Sequence, residues 1–248
     1  MTAASNQPEW PAPVEILNPG GASDVVLICE HASNYMPPSY AGLGLPDTEL
    51  QRHIAWDIGA EAVSRHLSRL LDAPCFIGTY SRLLIDLNRP LDSPTSIPVR
   101  SEATDIPGNA DLADDERRRR IDRMFAPFHA AVASHLDSRQ RQGKATRIVA
   151  IHSFTPVFLG QHRPWHAGIL FDHSAAFANE TIARLTRTAG LTIGANVPYV
   201  IERASDYAIP IHGEDRDLPA ILVEIRHDLI GTPEGQADWA GYLHEAIG

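Results

Sequence analysis

The stretch Val25-Val26-Leu27-Ile28-Cys29-Glu30-His31-Ala32-Ser33-Asn34 decides the fold class of this chain. Its first five residues are apolar and rich in β-branched side chains, which suits a strand threaded through a buried sheet; the run then stops on charged and small polar residues. His31 therefore falls where a strand ends. Ligands of open α/β sheets collect beyond the carboxyl ends of the strands, so a Glu-His pair delivered there is a candidate for chemistry. Taken alone, the same histidine fits a turn cap equally well.

Working outward, residues 1–22 close on Asn18-Pro19-Gly20-Gly21, a turn signal, and read as a surface arm ahead of a single domain over 23–248. Downstream, a Gly/Pro-punctuated loop runs to Pro46, and Pro46-Asp47-Thr48-Glu49 resembles a helix start. Ile58, Ala62, Val63, His66, Leu67 and Leu70 recur at helical spacing and predict a helix over 57–71, with Asp57 at its amino-terminal end, where a short acceptor serves as a cap. Strands are expected at 75–78, 83–86, 147–151, 165–171 and 220–226, with a short one at 199–202. Helices are expected at 114–140, 177–190 and 233–247, and a long loop over 91–111. Strands alternating with helices imply an α/β domain with a mostly parallel, mixed sheet covered by helices on both faces.

At 248 residues and 44% hydrophobic, the chain can bury one substantial core. Its formal charge of -10 argues against a large phosphate-binding surface, and nucleic acid is not an expected partner. The run from Arg117 to Arg120 is flanked by Asp114, Asp115, Glu116 and Asp122 and reads as a solvated helix face. Cys29 and Cys75 lie in apolar runs, as small buried hydrophobes do. With no basic n-region, apolar h-region or membrane-length stretch, a cytoplasmic location is expected.

On these assignments four strands end on ionisable groups: His31, the Asp86/Arg89 pair, His152 and Glu224. Charge is costly to place beside a core, so four such intrusions at one sheet edge point to a shared site. His31, His152 and one carboxylate would form a two-histidine set of the kind that binds catalytic zinc with one position open to water, and Asp57 is the best third ligand. Glu224 fits the general base. Ser33 and Ser153 each adjoin a histidine, but neither lies in a Gly-x-Ser-x-Gly elbow. Arg82, Arg89 and Arg226 are candidates to hold a substrate carboxylate, although Arg82 and Arg89 read also as structural partners of Asp86. His212, in Ile209-Pro210-Ile211-His212-Gly213, is a candidate to contact the substrate or polarise its carbonyl.

The motifs Cys29-Glu30-His31-Ala32-Ser33, Trp56-Asp57-Ile58-Gly59, Ile85-Asp86-Leu87-Asn88-Arg89, Ile151-His152-Ser153-Phe154 and Val223-Glu224-Ile225-Arg226 together resemble the N-formylglutamate amidohydrolase family, over about residues 24–230. The resemblance implies a fold like the zinc-dependent exopeptidases, zinc on His31, Asp57 and His152, and Glu224 as base. It also implies a small anionic N-acyl amino acid as substrate, N-formyl-L-glutamate above all, held with the help of Asn88 and Ser153. Glu30 is the reserve ligand, since its side chain leaves a strand on the face opposite to its neighbour's. Better-known members carry a Ser-Pro-His-Ser-Gly first motif, so Cys-Glu-His-Ala-Ser-Asn marks a divergent branch. Nickel, cobalt or manganese would suit the same donors. Two rival readings are a zinc amidase acting on larger cell-wall fragments and a non-catalytic binder of acidic amino acids.

Overall fold

The computed structural model describes residues 10–188 and 190–248. Its main sheet holds seven strands: β1 (Val14–Leu17), β2 (Val25–Cys29), β3 (Cys75–Gly78), β4 (Arg147–Phe154), β5 (Ala167–Leu170), β6 (Ile193–Ala195) and β7 (Ala220–Arg226). Their spatial order is β1-β3-β2-β4-β7-β5-β6. The neighbours β3, β2, β4 and β7 run parallel, β1 pairs antiparallel with β3, and β5 pairs antiparallel with β7 and parallel with β6. The domain is therefore α/β with a mixed, mostly parallel sheet.

Every residue of β2 is buried because both of its faces are covered. Val25, Leu27 and Cys29 pack with Val63 and Leu67 of α1 (Ala60–Leu71) and with Trp239 and Leu243 at the chain's end. Val26 and Ile28, pointing the other way, meet Phe76, Met124, Phe128 and Val132. The second layer comes from α2 (Asp114–Arg120) and α3 (Ala126–Arg141), joined through a π-helical turn at Ile121–Phe125. The first layer holds α1, α4 (Ala175–Leu185) and α5 (Pro233–Ile247). Truncating Leu27 to Ala between these layers would cost about 2–5 kcal/mol, the usual range for a fully buried leucine.

Several expectations are corrected. The arm over 1–22 contributes β1, four residues too few for a sequence pattern to reveal; residues 1–9 lie outside those described. Residues 83–86 are buried yet form turns, not a strand. Leu84 N–H donates back to Ser81 O (3.0 Å), Asp86 N–H donates to Ser96 O (2.7 Å) and Leu84 O accepts from Arg120 (2.8 Å), so turn and long-range bonds replace a ladder there. Residues 199–202 are loop, and the strand beside β5 is instead β6. Arg120 is not solvated: at 1% exposure it donates to Leu84 O and Asn109 Oδ1 and ties the turn segment to α2. Cys29 and Cys75 are free and buried. No helix among the described residues is long and apolar enough to cross a membrane.

Candidate active site

Three adjacent parallel strands bring their carboxyl ends together, and side-chain parity does the rest. His152 shares a face with Ile148 and Ala150 in β4, Glu224 shares it with Ala220 and Leu222 in β7, and the two are register partners. Glu30, one residue beyond β2, continues the parity of Val26 and Ile28 onto the same face. His31 follows after the chain has begun to turn, so it is not sent to the opposite face. β4 runs two residues past His152, which places that histidine within the strand and not beyond it.

Asp57 reaches the same point from the turn before α1, which begins at Ala60 and not at Asp57. Asp57 N–H donates to His31 O (2.8 Å), and Gly59 takes φ 82° against the Ile230 carbonyl, a tight turn that a Cβ would block. The carboxylate therefore does not cap the helix. Its Oδ2 lies 2.8 Å from His152 Nδ1 and 3.4 Å from His31 Nδ1, and accepts Ser153 N–H at 3.2 Å. The opposite ring nitrogens are also held by carboxylates: His31 Nε2 by Asp86 Oδ1 at 2.7 Å, His152 Nε2 by Glu30 Oε2 at 3.0 Å. His31, Asp57 and His152 offer ligand atoms within 4.8 Å of one another. Glu30, the reserve ligand, stands behind His152 instead.

A cavity of about 450 Å³ opens on this group, walled in part by Glu224, Arg82, Arg89 and Asn88. Arg82 is largely committed, donating from Nε and Nη2 to Asp86 and from Nη1 to Asp57. Arg89 Nη1 donates to Ser205 O and, at 3.3 Å, to Asp206 Oδ1, while its Nε and Nη2 bond to no described protein group. Asn88 spends its side chain on the Tyr207 and Ala208 amides and on Asp206. Ser153 Oγ donates to Ile58 O.

Two expected site residues stand elsewhere. Arg226 turns to Asp228 (2.8 Å) and to the Pro164 and Trp165 carbonyls, because the last residue of β7 leans towards the neighbouring loop. His212, on a π-helical turn at Ala208–Gly213, does not line the cavity; it is 2% exposed and meets His129 Nδ1 at 2.9 Å. Asp206, which holds both Arg89 and Asn88, was missed. It lies 117 residues from Arg89 in a polar loop with no local signal of its role. A second group, Asp172 and His173 in a loop and Glu214 at the start of a 3-10 turn (Glu214–Arg216), lies at the opposite end of the sheet, with both Asp172 and His173 exposed.

The family model for N-formylglutamate amidohydrolases matches residues 23–231. The chain belongs to that family. Among solved structures it is similar to a gene product of Agrobacterium tumefaciens, 41% identical over 96% of this chain and 94% of that one, with a TM-score of 0.92. It also shares its fold with an N-formylglutamate amidohydrolase from Ralstonia eutropha, 23% identical over 96% of each chain, with a TM-score of 0.69. No curated protein matches it.

The electrostatics of this family member separate its buried acids into two kinds. Burial alone would raise Asp57, Asp86 and Glu30, but the histidines beside Asp57 and Glu30, and Arg82 followed by His31 beside Asp86, outweigh it and hold all three below the usual carboxylate range. His152 is raised well above its ordinary value: burial opposes its charge, and Glu30 and Asp57 overcome that. Glu224 behaves oppositely. Burial, reinforced by Asp57, pushes it up to about 7, and its Oε2 has no hydrogen-bond partner among the described residues.

The donor chemistry fits a divalent ion. A histidine whose Nε2–H is taken by a carboxylate presents the Nδ1 lone pair, and both histidines are so arranged towards one carboxylate oxygen. Two imidazole nitrogens and one carboxylate suit zinc and, less selectively, nickel, cobalt or manganese.

Proposed function

We propose that the protein is a metal-dependent amidohydrolase that cleaves the amide of a small N-acyl amino acid, N-formyl-L-glutamate first among them, to a carboxylate and a free amine. His31, Asp57 and His152 would hold the ion, which when bound supplies Lewis-acid polarisation of the carbonyl and acidifies water. Asp86 and Glu30 fix the two imidazoles. Glu224 takes a proton from the attacking water and passes it to the nitrogen as the C–N bond breaks, so formate and L-glutamate leave with atoms balanced. Arg89, with Nε and Nη2 uncommitted, holds a substrate carboxylate in bidentate fashion. Arg82 is spent on Asp57 and Asp86, so it orients the machinery more than the substrate.

The observation that carries this reading is Glu224, a buried carboxylate whose Oε2 has no partner among the described residues, raised to about 7 beside His152 and facing the cavity. A group in that range exchanges protons at neutral pH, as a base must. The cavity of about 450 Å³ suits a single small ligand more than a cell-wall fragment. The deciding experiment measures release of formate and glutamate from N-formyl-L-glutamate by zinc-loaded and chelated protein, beside a panel of N-acyl amino acids and acyl-peptides. No turnover of any N-acyl amino acid would refute the reading, and preference for acyl-peptides would replace its substrate class.

A further inference from the structure

His212 and His129 form a buried pair behind the site, and their hydrogen bonds dictate where the protons sit. Leu87 O can only accept, so His129 Nε2, 2.9 Å away, carries the hydrogen. Neutral His129 then offers a lone pair at Nδ1, and His212 Nε2, at 2.9 Å, must donate to it. That leaves His212 Nδ1 as a lone-pair acceptor, buried and without a partner among the described residues. Burial disfavours charge on both rings, which keeps each to a single N–H.

Glu30 presents the complementary problem. Its Oε2 takes His152 Nε2–H, while its Oε1 is buried and also has no partner among the described residues. The residue is 1% exposed, and its side chain points to the face on which the His212 turn packs. Gly78 keeps the Glu30 backbone and the Leu87 side chain close together, since a Cβ there would strike both, and the Leu87 carbonyl is the one that holds His129. The His212 turn packs on β4 and β7, the strands that carry His152 and Glu224 on that same face. A carboxylate oxygen and an imidazole lone pair are both acceptors, and two acceptors cannot satisfy each other.

We propose that one buried water donates to both Glu30 Oε1 and His212 Nδ1, completing a chain from Leu87 O through His129, His212 and Glu30 to His152. Water is the smallest group with two O–H donors, and buried polar atoms are regularly satisfied in this way. His212 is then a positioning residue: through the water it fixes the Glu30 carboxylate, and through Glu30 the ring of His152. The positioning role rests on the reading of His152 as a metal ligand; the water and the tautomers do not.

Three measurements test it. A high-resolution crystal structure of the protein is expected to show an ordered water at roughly 2.7–3.2 Å from both atoms. Nitrogen-15 NMR of the histidines is expected to show His129 and His212 protonated at Nε2. Zinc affinity, read by competition with a chelator, is expected to fall about 10-fold or more in His212→Leu and to recover within about threefold in His212→Gln, whose amide can both donate to His129 and accept from the water. A direct Glu30–His212 contact without water, or an Nδ1–H tautomer of His212, would overturn the proposal even if His212→Leu failed to fold. Wild-type zinc affinity in folded His212→Leu would overturn the positioning role. A wild-type protein that binds no zinc would remove the metal reading and that role together, leaving the water to the first two measurements.

Discussion

Replacing Glu224 with Gln should make the protein slower and more stable at once, because the property proposed to make Glu224 a base is one the fold resists. Its carboxyl is raised from 4.5 to about 7, chiefly by burial. At about 1.4 kcal/mol for each tenfold change in proton affinity, that difference corresponds to about 3 kcal/mol. The sign follows from which state holds the proton. Below 4.5 the carboxyl is protonated in both states and contributes nothing; between 4.5 and about 7 the unfolded chain ionises first, so stability falls as pH rises, and above about 7 the full penalty applies. A neutral amide of the same shape removes that penalty. In chelated protein Glu224→Gln should therefore melt roughly 5–10 °C higher than wild type at pH 8 and match it at pH 4. In zinc-loaded protein kcat for N-formyl-L-glutamate should fall by about 10²–10⁴, the usual loss for a general base, with zinc still bound. A melting difference that does not grow with pH would refute the electrostatic argument, and turnover within tenfold of wild type would refute the assignment of the base.

Removing the carboxylate behind His31, by Asp86→Asn, should weaken zinc binding about 10–100-fold in a chelator competition, since the imidazole loses the partner that fixes its tautomer. Arg89→Ala should raise KM for N-formyl-L-glutamate at least tenfold with little change in kcat, as expected for uniform binding, whereas Arg226→Ala should leave both unchanged in the same steady-state assay. Zinc binding should release the proton that Glu30 and Asp57 hold on His152, so calorimetry in buffers of different ionisation enthalpy should detect proton release near neutral pH and apparent affinity should fall in acid. Burial lowers His212 from 6.5 to about 4, so as pH falls through 6.5 the unfolded chain takes up the proton first. Stability should then decline by about 3 kcal/mol by pH 4, and urea denaturation should show a shallower decline in His212→Gln.

The fold class was legible because β2 and β7 are apolar runs that stop on charge, and because Val63, Leu67 and Leu70 repeat at helical spacing. The segment 83–86 was not. It is as apolar as a strand, and only the distant acceptor and donor it meets, Ser96 and Arg120, hold it out of a ladder. His31, His152 and Glu224 could be grouped from sequence because each sits where an apolar run turns ionisable, and Asp57 could be added because it opens the helical pattern between them. Their supports could not. Nothing local to Asp206 announces Arg89, and His212 looks from sequence like a loop residue free to reach a substrate, yet its buried pairing with His129 depends on a helix some eighty positions earlier. Arg226 misleads for the opposite reason: it has the right strand and parity, but an acid two residues on captures its guanidinium.

Strand parity also explains why adjacent residues Glu30 and His31 serve the same centre from different sides. Glu30 keeps the direction of Val26 and Ile28 and so passes behind His152, while the turn after Cys29 swings His31 to face Asp57. A straight strand would have sent one of the two into the opposite core layer. The resulting cluster buries Glu30, Asp57, Asp86 and Glu224 with Arg82 as the one arginine paired within it, an excess of negative charge that protein interiors do not tolerate unpaired. A proton on His152 relieves part of that excess in the bare protein, which is why its surroundings raise rather than lower it. A divalent ion would relieve it without that proton, leaving the Nδ1 lone pairs in use. The same carboxylates that hold Nε2–H in place thus supply the charge balance on which the proposed metal chemistry depends.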